Sequence, residues 1–293
     1  MNRYQVSIGG SWLHTYLNSD SRFKGRVYVQ DIQYAEPAVQ LTVETAGDAD
    51  GGVITRKYRQ KASVTVVFNV MTWDPSYRYA AVEAIRTLAS KGGTILTSNR
   101  AGKALYNCVC EKYPEIESSK ERTQDLEMTF STYAFPYWQD LVQTPKTLNG
   151  TRSSGSFTVP GNAPAAVPTI EITANADFPA RGGYILQPNG KPKLDTTATM
   201  KITLQNTVFM SFYPMKRNNL CIIDTDAHNN QRVRIYDSRT AYNNNPNNYR
   251  NGTFYTLPAS SDKLLAVPGR SNSFAIEMGA NATVTVNVRG AWL

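Results

Sequence analysis

The stretch LLAVPGRSNSFAIEMGANATVTVNVRGAWL, residues 264–293, decides the fold. Phe274, Ile276 and Met278 alternate with polar or small residues, and so do Val284, Val286 and Val288. A period of two places each set on one face of an extended chain. Gly-Ala-Asn at 279–281 reads as the turn between them. A terminal β-hairpin is therefore expected, with Trp292 and Leu293 closing the open end of its core.

Working back from this end, the same pattern repeats. PTIEITAN, TATMKITLQNTVFMSF, LCIIDTD, QRVRIYDS and GTFYTLP follow one another at short intervals, with Met200, Ile202 and Leu204 on one face. Short alternating strands separated by turn residues predict an antiparallel β-sandwich. Upstream, LVQTPKTLNGTRSSGSFTVPGNAPAAVP shows no apolar period and reads as a connection between domains. The expected boundary lies within 155–168, giving domains 1–155 and 156–293.

The first half mixes strands with a helix. KASVTVVFNV turns Ala62, Val64, Val66, Phe68 and Val70 to one side. In the following segment Asp74 suits an N-cap, Pro75 a first helical position and Gly92 a helix end, while Ala81, Ile85 and Leu88 share a helical face. DADGG at 48–52 is turn chemistry between strands. The fold class expected is mainly β: an α+β first domain with one helix, then an antiparallel β-sandwich.

Composition narrows the function. With 293 residues there is material for two cores. No apolar run approaches the roughly 18 residues of a membrane span, and no secretory signal opens the chain, so a soluble, cytoplasmically made protein is expected. The three cysteines, Cys108, Cys110 and Cys221, suggest reduced structural thiols. The net charge of +8 is thinly spread: residues 1–150 carry 17 Lys/Arg against 15 Asp/Glu, and 151–293 carry 14 against 8. RKYRQK at 56–61 is the densest cluster and fits a solvated strand face better than a nucleic-acid stripe.

Side-chain catalysis needs a proton shuttle, an activated nucleophile, paired carboxylates or a metal. His14 and His228 stand in turn-like surroundings outside any ligand spacing. DTDAHNNQ at 224–231 begins like a calcium loop but lacks the central Gly, and Ile235 stands where its closing Glu belongs. No nucleophile elbow, P-loop or dinucleotide motif occurs. A protein without catalytic, metal or cofactor sites is expected. Tyr242 and Tyr249, in the Asn-rich AYNNNPNNYRNG, are the candidate contact residues for a glycan or a partner. Aromatic platforms among amides can stack on and hydrogen-bond a pyranose, although turn chemistry accounts for the same composition.

Taken in order, several segments resemble siphophage distal tail proteins. VYVQDIQYAEPAVQL, DADGGVITRKYRQKASVTVVFNVM and DPSYRYAAVEAIRTLASKGGTILT are similar to that family's first domain. MTFSTYAFPYW resembles its closing strand, SFTVPGNAPAAVPTIEITANA its passage into the second domain, and VPGRSNSFAIEMGANATVTVNVRGAWL its ending. The Asn-rich segment 238–252 has no counterpart in that pattern. The resemblance implies a galectin-like sandwich for the second domain. It further implies a structural virion protein at the distal end of a phage tail, assembled in the host cytoplasm. Such a protein forms a hexameric ring between tail tube and baseplate, with tube, tail-lysin and receptor-binding proteins as partners. DNA passes through the ring without being gripped, in keeping with the near-neutral first half. The strand 62–70, with Ser63, Thr65 and Asn69 on its second face, is one candidate for a ring-forming edge. The alternative is a lectin-like module that attaches to host cell-surface polysaccharide.

Overall fold

The computed structural model describes residues 4–19, 26–44, 53–72, 74–116, 125–133, 135–179, 184–194, 199–225, 232–252, 255–257 and 264–293. The chain forms two compact units, Met1–Leu141 with Leu293, and Val142–Trp292. The division falls before the 155–168 region because the polar segment there is no free linker. Trp138–Thr158 is one long strand, with Trp138, Leu148 and Phe157 buried and most of its other side chains facing solvent. A strand with so few inward residues lacks the alternation by which strands are recognised. Among the described residues no helix is long and apolar enough to cross a membrane.

In the first unit Ala62–Met71 is central. It pairs antiparallel with Arg26–Ala35 on one side and Leu126–Thr132 on the other. Both of its edges are therefore occupied within one chain, which removes it as a ring-forming edge. The sheet continues through Lys103–Lys112 and Gly93–Thr97 to Val6–Ile8, and a bridge from Tyr4 to Val29 joins its two ends. Lys103–Lys112 changes partner along its length, a kink eased by Asn107 at φ 54°. Ala62, Val64, Val66, Phe68 and Val70 all face the core.

The helix Arg78–Lys91 buries Ala81, Ile85 and Leu88 and ends at Gly92, as the spacing predicts. Its start is shifted. Asp74 accepts from the Ser76 amide at 2.9 Å and opens a 3-10 turn, Pro75–Tyr77, ahead of the α-helix. The strands flanking the DADGG segment, Val39–Glu44 and Val53–Arg59, pair with each other and with no other described strand. The DADGG turn itself lies outside the described residues. Leu293 groups with this unit rather than with the sandwich core, its carbonyl accepting from Arg100 Nη1 at 2.9 Å. The Arg100 guanidinium in turn lies over the rings of Tyr34 and Trp138, 4.9 and 5.0 Å from their centroids.

The second unit is an antiparallel sandwich. One sheet runs Arg250–Asn251, Arg232–Tyr236, Leu220–Asp224, Pro168–Ala174, residues 282–288, then Trp138–Thr158. The other runs residues 274–278, Met200–Leu204, Thr207–Ser211, Tyr255–Leu257. Both present alternating apolar residues to a common core. The terminal hairpin expected from 279–281 is instead one strand, Ser271–Trp292. Phe274, Ile276, Met278, Val284, Val286 and Val288 are all buried, as the alternation requires, but its two halves lie in different sheets. Gly279 makes the crossing. Its amide donates to the Thr199 carbonyl at 2.8 Å, and an added Cβ would lie 3.1 Å from Pro179 Cδ. Glycine is there for close approach, not for reversal.

Candidate functional site

The two candidate contact tyrosines converge on a third. Ser238 caps the short helix Arg239–Asn244 by accepting from the Ala241 amide at 3.0 Å. This helix and the residues after it carry Tyr242 and Tyr249 onto Tyr236, with ring centroids 5.1 and 6.0 Å from it. Tyr236 is buried, donates to the Pro246 carbonyl at 2.7 Å, and forms a small apolar cluster with Leu220 and Ile222. Leu220 through Ile223 are thus buried on both faces of their strand. Arg239 lies over the Tyr242 ring at 5.8 Å and Arg234 over Tyr249 at 6.0 Å. Each half-buried ring thus has Tyr236 and one guanidinium as neighbours and takes part in packing this segment. The Ser238 cap was the available signal that this segment opens with a helical turn.

Other groups with chemical potential are constrained. Burial pushes the Cys108 and Cys221 thiols up to about 12 and Cys110 to about 11, so all three are protonated at neutral pH. Cys108 and Cys110 do not share an environment: the first is buried, the second partly exposed. His14 lies in the helical turn Leu13–Tyr16 beside Trp12. His228 and most of the 224–231 segment lie outside the described residues, while Asp224 sits 3.5 Å from Arg234.

Glu111 is the main polar node of the first unit. It accepts from Lys61 Nζ at 2.6 Å, from Ser131 Oγ at 2.7 Å and from the Tyr133 hydroxyl, linking Lys103–Lys112 to Leu126–Thr132 and to the residue before Ala62–Met71. The Lys61 hydrogen bond, assisted by Ser131, holds its carboxyl below the ordinary value. A depressed folded value means that the stabilisation is present above the unfolded carboxylate pKa and is lost as pH falls through the folded one. Glu111→Gln is expected to lower the melting temperature slightly at pH 7, by under about 1 kcal/mol because the pair is solvent-screened. Paired melting curves should converge as pH falls below the ordinary carboxylate range and through the lowered folded value of Glu111, where the wild-type carboxyl is itself protonated. A constant gap down to pH 2 would show that the cost is steric.

The paired strands Val39–Glu44 and Val53–Arg59 form an arm with unusual surface chemistry. Leu41, Val43, Val53 and Ile54 are 50, 52, 68 and 55% exposed. At its base the Gln60 amide donates to the Ala38 carbonyl at 3.2 Å, and Tyr58 donates to Gln40 at 2.8 Å. Elsewhere on the same unit a groove lies between the helix Arg78–Lys91 and residues 111–116 and 125–127. One end is lined by Tyr79, Val82, Pro114 and Ile116 together with Glu83, Arg86 and Glu115, the other by Glu111, Glu115, Asp125 and Glu127 together with Arg86, Lys112 and Tyr113.

No family model and no curated protein sequence matches the chain. Solved structures do. The Dit protein of SPP1, described as a paradigm of the hub adsorption apparatus in phages infecting Gram-positive bacteria, aligns with a TM-score of 0.61 at 14% identity over 99% of each chain. Chains of the phage p2 baseplate in its activated conformation align over 97% of each chain. With calcium the TM-score is 0.37 at 11% identity, and with strontium 0.39 at 9%. From end to end, this chain has the fold of the SPP1 Dit protein.

Proposed function

We propose that this protein is a non-enzymatic structural hub at the distal end of a siphophage tail. Its copies form a ring, six in number by the family resemblance, that joins the tail tube to the tip and anchors peripheral receptor-binding proteins. The observation that carries this reading is the likeness to a phage adsorption hub over 99% of both chains, which takes in both units in order. Charge supports it as well: 17 basic against 15 acidic residues in 1–150 suit a passage that lets DNA slide by. The lectin-like alternative rests on Tyr242 and Tyr249, which pack partly buried against Tyr236.

Sizing and negative-stain microscopy of the purified chain test the proposal. Ring-shaped particles that bind the cognate tail-tube protein are the expected result. A protein that stays monomeric at every concentration and ignores the tube protein overturns it.

A further inference from the structure

We propose that Asn149–Gly150 is a site of spontaneous modification, at which the folded chain converts its own asparagine to aspartate and isoaspartate with water as co-reactant. The chemistry is separate from the ring reading and does not depend on it.

The sequence holds three Asn-Gly pairs, at 149–150, 189–190 and 251–252. Glycine in second place matters because no Cβ keeps its amide nitrogen away from the preceding side chain. The reaction runs in two steps. The Gly150 nitrogen gives up its proton and bonds to Asn149 Cγ, and the side-chain nitrogen leaves as ammonia. Water then opens the resulting five-membered imide at either carbonyl. One opening gives aspartate, the other isoaspartate, whose main chain runs through the former side chain.

Two of the three pairs are held away from this geometry. At 189–190 the Gly190 amide donates to the Gln187 carbonyl at 2.9 Å, and Asn189 Oδ1 accepts from the Lys191 amide at 3.0 Å. Nucleophile and leaving amide are both engaged in that turn. At 251–252 Asn251 stands opposite Arg234 in a strand pair, and the Gly252 amide donates to the Val233 carbonyl at 3.0 Å. Gly252 is also packed in, since an added Cβ would lie 2.6 Å from Val233 Cγ1. Both pairs react only from a locally opened state in which these bonds are broken.

Asn149–Gly150 sits where the strand Trp138–Thr158 doubles back on itself. A Cβ added at Gly155 would lie 3.1 Å from Lys146 Cε and 3.5 Å from Leu148 Cδ2. On a straight strand residues 146 and 155 would be about 30 Å apart. Gly150 stands between them at φ +104°, with open space where its Cβ would be. Asn149 is exposed, and its side chain makes no hydrogen bond among the described residues. Its amide therefore meets the glycine nitrogen without first giving up a partner. Each event sets a carboxylate three residues before Arg152 and lowers the formal net charge of +8 by one.

The test is incubation of the purified full chain in mildly alkaline buffer, followed by peptide mapping with mass spectrometry. Conversion at Asn149 is expected to run at least about tenfold faster than at Asn189 or Asn251, with aspartate and isoaspartate as separate products. The same chain in urea provides the reference, since unfolding removes the bonds that hold the other two pairs. There the three rates are expected to fall within about threefold of one another. A folded chain in which Asn149 stays intact, or in which Asn189 or Asn251 keeps pace with it, overturns the proposal. So does a lead of Asn149 that is unchanged in urea, because the fold would then not be its cause.

Discussion

Replacing Gly161 with alanine is expected to lower the melting temperature of the second unit by about 10 °C, a loss of about 3–5 kcal/mol. Gly161 sits at φ +125°, and an added Cβ would fall 1.9 Å from the Ala291 carbonyl oxygen and 2.8 Å from its carbon. The obstruction is main chain on both sides, so no rotamer change relieves it. Separation would also break the bonds that join this turn to the last strand. The Asn162 and Ala163 amides donate to the Ala291 carbonyl at 3.0 and 3.1 Å, and the Ala291 amide donates to the Pro160 carbonyl at 3.1 Å. Buried amides left without acceptors add to the steric cost. Calorimetry of the full chain measures this, and an unchanged transition of the second unit would refute the predicted clash.

The second large effect is expected at Asn272, whose side chain is fully buried. Its Oδ1 accepts from the Val267 amide at 2.7 Å and from Gln205 Nε2 at 2.8 Å. Its Nδ2 donates to the Val267 and Arg270 carbonyls, both at 3.0 Å. One amide thus closes the Pro268–Gly269 loop on itself and ties it to the neighbouring turn. Asn272→Ala removes all four bonds and is expected to cost about 2–4 kcal/mol. Gln205→Ala removes one of them and is expected to cost under about 1 kcal/mol. Urea midpoints of the two variants provide the check, with a near-equal cost speaking against a pinning role for Asn272.

What could be read from the residues depended on how one-sided each segment is. Ala62 to Val70, Phe274 to Met278 and Val284 to Val288 each bury one face, and their alternation located the core without ambiguity. The helix Arg78–Lys91 was legible for the same reason, because only one of its faces is apolar. Trp138–Thr158 was hidden, since a strand of this length with three buried residues and many Ser and Thr looks like a linker. Gly279 misled because glycine serves both reversal and close approach, and sequence does not separate the two. The arm was obscured in the opposite way. Val39, Leu41 and Val43 alternate as core residues do, yet they face outward. Alternation reports that a strand has an apolar face, not whether the cover for that face comes from the same chain. Tyr242 and Tyr249 are legible as aromatic residues in a polar segment, but their docking on Tyr236 depends on a fold-back that their spacing alone does not specify.

The continuous strand Ser271–Trp292 has a mechanical consequence. Where two sheets touch only through side chains, shear between them is resisted by non-directional apolar contacts, which can slip. Here covalent backbone runs from one layer into the other, hydrogen-bonded to Met200–Leu204 on one stretch and to Pro168–Ala174 on the next. Tension on either layer is therefore borne by main chain and by two ladders loaded in series. The sandwich can yield only by unzipping one of them.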